Sequence, residues 1–296
     1  MRRMRCPATP VVMVTVIAMV ITMVATTSRG WAAEAPQRIV SIIPAVTEMI
    51  FAMGDGARVV GVSSFDRFPP EVSRITRVGA LLDPNVERIL SLKPDLVVLY
   101  NTQTELKQRL ERAGIPYYSY EHRALADITT TVRAIGVRIG SGPRAERLAG
   151  DMERKIAAIR SSVSKRPRPR TLLVFEREGS SLRNIFATGG YGFIHDMLDA
   201  AGGDDVFADI ARQSVQATSE LILSRRPEVI IELRYGDNVK TADIPREMQA
   251  WNALSSLPAV KNHRVHVLIG DEYVVPGPRV ADAVQHLART LHPELK

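Results

Sequence analysis

ERILSLKPDLVV, residues 87–98, and ELILSRRPEVII, residues 220–231, are near copies of one another at a constant offset of 133. Glu, Ile, Leu, Ser and Pro coincide, and the pairs Lys93/Arg226 and Asp95/Glu228 agree in charge. Each copy reads as a short helix, a turn forced by proline, and an apolar run of strand length. A unit that occurs twice, at a long offset, argues for two similar α/β halves and not for a solenoid. A fainter echo, Met49–Gly54 against Met197–Gly202, carries less weight.

Outward from the repeat, short β-branched runs alternate with helical patterns. The runs Arg38–Ile43, Val59–Val62, Leu96–Tyr100, Pro116–Tyr120, Thr171–Phe175, Val229–Leu233 and Arg264–Ile269 predict strands. Several are continuously apolar, as strands buried on both faces of a parallel sheet must be. The rhythm breaks in the middle. Leu125, Ile128, Val132, Ile135 and Ile139 recur at helical spacing, and Gly140-Ser141-Gly142-Pro143 ends that helix and opens another. The second helix carries Ala145, Leu148, Met152, Ile156, Ile159 and Val163 and is predicted over 143–165. At about 1.5 Å per residue it spans roughly 34 Å, enough to bridge two halves.

The N-terminus reads as a secretory signal. Arg2, Arg3 and Arg5 precede the uncharged run Val11–Ala25, whose 15 residues fall short of a membrane span of about 20. Small residues around Ala32 and Ala33 offer the cleavage site. The organisation expected is therefore a signal peptide at 1–33, an N-terminal lobe at 34–142, a linking helix at 143–165 and a C-terminal lobe at 166–296. The sole cysteine, Cys6, precedes the apolar run, so neither a lipid anchor after it nor a disulfide in the mature chain is expected. The formal charge of +7 includes four leader arginines, and without them 35 basic residues face 32 acidic ones. That is no footprint for nucleic acid, which needs a concentrated basic face.

Several segments together resemble the helical-backbone class of substrate-binding proteins, which serve ABC importers for vitamin B12, ferric siderophores and haem. They are Arg38-Ile39-Val40-Ser41 with Pro44 and Thr47-Glu48; Val60–Phe65 with Pro69-Pro70; Asn85–Ile89; Leu92–Val97; Ala201-Gly202-Gly203; Ser219-Glu220 with Pro227; and Pro278-Arg279. The likeness spans the mature chain. It implies two Rossmann-like α/β lobes with mainly parallel sheets, joined by one long backbone helix, with a shallow cleft and little hinge motion. It implies a periplasmic, soluble, monomeric receptor that captures a metal chelate, a ferric siderophore or cobalamin, and delivers it to the permease. One glutamate on each lobe then docks on permease arginines, at the positions of Glu87 and Glu220. Paired exposed carboxylates suit that task because guanidinium–carboxylate contacts are planar and bidentate.

In doubly wound sheets, ligands sit beyond the carboxyl ends of the strands. That rule selects Phe65, Arg67, Leu81 and Tyr100 in the first half and Arg234, Tyr235 and Tyr273 in the second. Gln213 and Ser214 precede the second repeat helix, as the cleft-facing loop does in the family. Aromatic faces suit flat rings, and arginine suits anionic chelates. B12-binding members of the class carry cleft tryptophans, whereas Phe65, Leu81, Tyr100, Ser214 and Glu272 stand at those places here, which weakens the case for cobalamin and leaves a ferric siderophore or another chelate open, with haem and oxyanion ligands as alternatives. Haem would need an axial Tyr or His, for which Tyr100 or Tyr273 would serve.

Catalytic chemistry is not expected. Gly189-Gly190-Tyr191-Gly192 lacks the spacing of a phosphate loop and is read as the start of a helix packed close to a strand. His263 and His266, on a strand, would point to opposite faces, so no metal site or resident cofactor is expected. No nucleophile elbow is present, and a secreted α/β enzyme is the weaker alternative.

Overall fold

The computed structural model describes residues 35–236 and 239–295, and the expected leader at 1–33 lies outside them. The first half builds β1 (Ile39–Ser41), α1 (Pro44–Ala52), β2 (Val59–Val62), β3 (Thr76–Arg77), α2 (Val86–Ser91), β4 (Leu96–Tyr100), α3 (Thr104–Arg112), β5 (Tyr117–Tyr120) and α4 (Ala126–Arg138). Its strands are all parallel, in the order β3-β2-β1-β4-β5. Ile39, Val40 and Leu96 to Leu99 are fully buried, as the continuous apolar runs require of strands covered on both faces.

The linking helix α5 covers Gly142–Val163, with Pro143 in its first turn, where a missing amide hydrogen is harmless. Buried Asp55 anchors its start: Ser141 Oγ donates to Asp55, and Arg144 Nη2 does so at 2.8 Å. Arg133 of α4 clamps Glu146 and Glu153 on its exposed face. Its buried side, Ala145, Ala149, Met152, Ile159 and Val163, belongs to an apolar cluster that runs from the first half into the second.

The second half builds β6 (Arg170–Glu176), β7 (Ile185–Thr188), α6 (Phe193–Ala200), β8 (Asp204–Asp205), β9 (Ser214–Ala217), α7 (Ser219–Arg225), β10 (Val229–Arg234), α8 (Ile244–Met248), α9 (Pro258–Lys261), β11 (Val265–Ile269) and α10 (Val280–Leu291). The sheet order is β11-β10-β6-β7-β9, with β8 pairing the start of β6. β7 alone runs antiparallel to its neighbours. Eight residues, 177–184, join it to β6, too few for a parallel crossover, which needs a dozen or more.

The repeat survives in atomic detail. Asn85 caps α2 by accepting from the Arg88 amide, and Thr218 caps α7 by accepting from the Leu221 amide. Lys93 and Arg226 both take left-handed backbone, at φ 48° and 49°, just before the prolines that end each helix; a following proline disfavours the right-handed helical conformation. Asp95 receives the Gln37 and Arg38 amides, Glu228 receives the Arg170 amide, and Arg38 and Arg170 each donate to the last carbonyls of the matching helix. The fainter echo holds as well: Gly54 and Gly202, at φ 80° and 81°, close α1 and α6 with equivalent amide-to-carbonyl bonds.

Candidate ligand cleft

Nine large hydrophobic side chains are exposed among the described residues, and six of them, Phe65, Phe68, Leu81, Leu82, Tyr235 and Ile269, stand at or just after the carboxyl ends of parallel strands. Folding has not buried them, so the strand ends are where this protein keeps apolar surface exposed.

On the first lobe, the turn after β2 is tightly held. The Phe65 amide donates to Ser63 Oγ, and Arg77 Nη1 donates to the Ser63 and Asp66 carbonyls at 2.8 Å each. Phe65 itself is 59% exposed. Asp66, next in the chain, is buried, and the Ser63 amide donates to its Oδ2. Burial pushes its carboxyl up to about 7. The two sides of the rim are linked by Gln103, whose Nε2 donates to the Leu81 carbonyl and whose Oε1 accepts from the Tyr100 amide. Tyr100 is half-buried, and burial, then the Asp66 charge, raises its phenol. An aromatic series continues from it: Tyr120 edge-on at 5.9 Å, His122 stacked at 5.4 Å, then Phe193 of the second lobe at 5.5 Å.

An ionic seam joins the two lobes. Glu48 of α1 is buried, and Arg279, at the start of α10, donates to both its oxygens at 2.6 and 2.9 Å. The same guanidinium donates to Glu272 at 2.9 Å and lies over the Phe68 ring at 4.2 Å. Gly277 leaves room for this, since a Cβ there would come within 3.0 Å of Glu48 Oε2. Arg67 adds a second contact, 3.8 Å from Asp271. Burial raises the Glu48 carboxyl even against the pull of Arg279.

On the second lobe, Glu232 of β10 is buried with both oxygens engaged: Oε1 receives Arg177 Nε and Trp251 Nε1 at 2.5 Å each, and Oε2 receives Arg234 Nη2 at 2.7 Å. Arg234, expected at the ligand, is thus also a structural partner, with Glu247 at 3.2 Å as its second carboxylate. It lines a cavity of about 460 Å³ with Tyr235, Phe175 and Lys240. Tyr235 is 40% exposed.

The sequence-predicted residues divide accordingly. Phe65, Leu81, Tyr100, Arg234 and Tyr235 lie at or just after strand ends; Arg67 does too, engaged with Asp271. Gln213 and Ser214 are exposed, with the Gln213 side chain against Gly192. Tyr273 does not reach the surface. It closes a single helical turn that directs it inward, 3% exposed, with its hydroxyl 3.0 Å from His286 Nδ1. Phe68, Ile269 and the Glu48–Arg279 pair were not expected at the cleft. Glu87 and Glu220 are exposed in the first turns of α2 and α7. Glu220's own backbone amide, then the Thr218 hydroxyl, hold its carboxyl below the usual range. Among the described residues no cluster of three or more His, Cys, Asp or Glu side chains suits a metal ion, and no helix is long and apolar enough to cross a membrane.

The model of the periplasmic binding protein family matches residues 39–271, most of the chain, from β1 through β11. The chain belongs to that family. Among relatives of this periplasmic binding protein is an ABC transporter substrate-binding lipoprotein of Bacillus subtilis, 30% identical, over 88% of this chain and 81% of the relative. A vitamin B12-binding protein of Salmonella typhimurium is 29% identical over 88% of this chain and 92% of its own length. Among solved structures, the periplasmic heme-binding protein RhuT of Roseiflexus sp. RS-1 matches with a TM-score of 0.72 and 26% identity, over 87% of this chain and 98% of that one. The family comprises transport proteins that bind a substrate outside the cytoplasm and work with the membrane components of ABC transporters, and this chain is one of them.

Proposed function

We propose that this binding protein captures a metal-chelate nutrient, a ferric siderophore or a cobalamin, and carries it as a periplasmic monomer to an importer, making and breaking no bond. The observation that carries the reading is the cleft rim: exposed aromatic and aliphatic side chains gathered at strand ends, with Arg234 held beside them. Flat or ring-bearing ligands bury such surface, and a fixed guanidinium matches the anionic charge of ferric chelates. Glu87 and Glu220, one on each lobe at matching places of the repeat, then meet paired arginines of the permease. The B12- and heme-binding relatives support the ligand class. Haem is the second reading, favoured by the heme-binding relative and by Tyr100, a phenol at the end of β4 of the kind that serves as an axial ligand.

The test is a titration of the mature protein with cyanocobalamin, haemin, a ferric catecholate and a ferric hydroxamate, followed by tryptophan fluorescence with inner-filter correction and by calorimetry. Saturable submicromolar binding of one chelate, weakened by Phe65→Ala, is the expected result. A folded protein that binds none of the four refutes the chelate assignment.

A further inference from the structure

The segment Gly189-Gly190-Tyr191-Gly192, between β7 and α6, holds no phosphate-loop chemistry, yet its three glycines are each required by the backbone path. A Cβ on Gly189 would come within 2.2 Å of the Arg212 carbonyl oxygen, and one on Gly190 within 2.2 Å of the Ala208 carbonyl oxygen. The chain is pressed onto 208–213 there, with the Gly190 amide donating to Ile210 at 2.7 Å and the Gly189 amide to Gln213 at 3.2 Å. Gly192 sits at φ 111°, a conformation that side chains avoid. The one residue of the four with a side chain, Tyr191, is 48% exposed.

Its surroundings place this mount at the seam between lobes. Gly192 lies against the Gln213 side chain. Phe193, two residues on, meets His122 of the first lobe, and Asp196, one turn further, accepts from the Leu125 amide at 2.8 Å. A large ring displayed on a fixed backbone loses little freedom on binding, because neither the loop nor a long side chain has to be ordered. The packing of the lobe does not use the ring, and the loop geometry serves to fix where it stands.

We propose that Tyr191 is the ring contact supplied by the C-terminal lobe, the counterpart of Phe65 on the other, and that it selects chelates bearing flat rings, tetrapyrroles or catecholates, over ring-free hydroxamates. This rests on the cleft reading above. The experiment measures dissociation constants of the full mature chain, and of Tyr191→Ala, Tyr191→Phe and Phe65→Ala, for haemin, cyanocobalamin, the ferric tris-complex of 2,3-dihydroxybenzoate, and ferrioxamine B. Melting curves accompany each variant, and an exposed side chain should leave them unmoved. Tyr191→Ala is expected to weaken the ring-bearing probe that binds by about tenfold, the scale of one well-placed aromatic contact, while Tyr191→Phe stays within about threefold. Wild-type affinity in Tyr191→Ala with a loss in Phe65→Ala overturns the role of Tyr191 and leaves the cleft reading intact. Equal losses in Tyr191→Phe and Tyr191→Ala assign the contact to the hydroxyl and overturn the ring contact. Binding of ferrioxamine B alone overturns the selection for rings, and binding of no probe overturns the cleft reading itself.

Discussion

Replacing Arg279 by methionine keeps the apolar stem and removes the one cation hydrogen-bonded to Glu48 among the described residues, Glu48 being a side chain 4% exposed. Breaking a buried pair from one side costs about 3–5 kcal/mol. Glu48 limits the loss by taking up a proton, since burial already raises its carboxyl, so about 3 kcal/mol at pH 8 is expected. In a chain of this size that is a fall of roughly 6–12 °C in melting temperature. The sign of the pH dependence follows from the raised carboxyl. The folded state holds its proton at pH values where the unfolded state has released it, so stability falls as pH rises from the unfolded value through the folded one. Without Arg279 the folded value rises further, and the deficit must be largest at pH 8 and shrink towards pH 5. Adding Glu48→Gln removes the stranded charge and restores most of the loss. Urea unfolding of the wild type, both single variants and the double variant at pH 5 and pH 8 provides the assay. A deficit under about 1 kcal/mol, the same deficit at both pH values, or a double variant no better than Arg279→Met would each refute the seam as described.

Other outcomes follow from the same structure. Asp66, its carboxyl pushed up to about 7 from an ordinary 3.8, makes stability decline between pH 4 and pH 7 by an amount on the order of 4 kcal/mol; Asp66→Asn should flatten that decline in urea titrations. Trp251→Phe deletes one of the two donors to Glu232 Oε1 and should lower the unfolding free energy by about 1–3 kcal/mol with an unchanged m-value. Charge reversal of Glu87 and Glu220 together should leave ligand affinity within about twofold and abolish stimulation of transporter ATPase in vesicles, because both side chains are exposed in the first turns of their helices; intact uptake by that variant would point instead to a sensor that delivers its ligand elsewhere.

The central strands of the first lobe were legible because they are buried on both faces, which writes them as apolar runs: β2 and β4 fall where the sequence places them, whereas the two-residue edge strand β3, part-exposed, went unread, and α5 differs from its expected span by one residue at the start and two at the end. The second lobe was half legible through the repeat. β8 is two residues long and β9 alternates polar and buried positions at an edge, so neither carries an apolar run. The ionic seam was hidden for a different reason. Glu48 and Arg279 are 231 residues apart, and no local pattern announces such a partner. Arg234 was half legible: a salt bridge was as good a reading as a ligand contact, and Glu232, two residues before it on the same strand face, is the partner the sequence did not single out. Tyr273 misled because the strand-end rule selects a loop without saying which of its side chains turns inward.

Among the described residues the chain passes from one sheet to the other once, through α5, and the turn that follows, Ser164 to Arg168, is largely solvent-exposed. A protease cut there would turn an intramolecular seam into an interface between two polypeptides, held by the apolar side of α5 and the Glu48–Arg279 pair without a covalent tether. The tether's effective concentration would be lost, and the strength with which the halves reassociate would measure how far the protein is a single body and how far it is two receptors' halves kept in register by one helix.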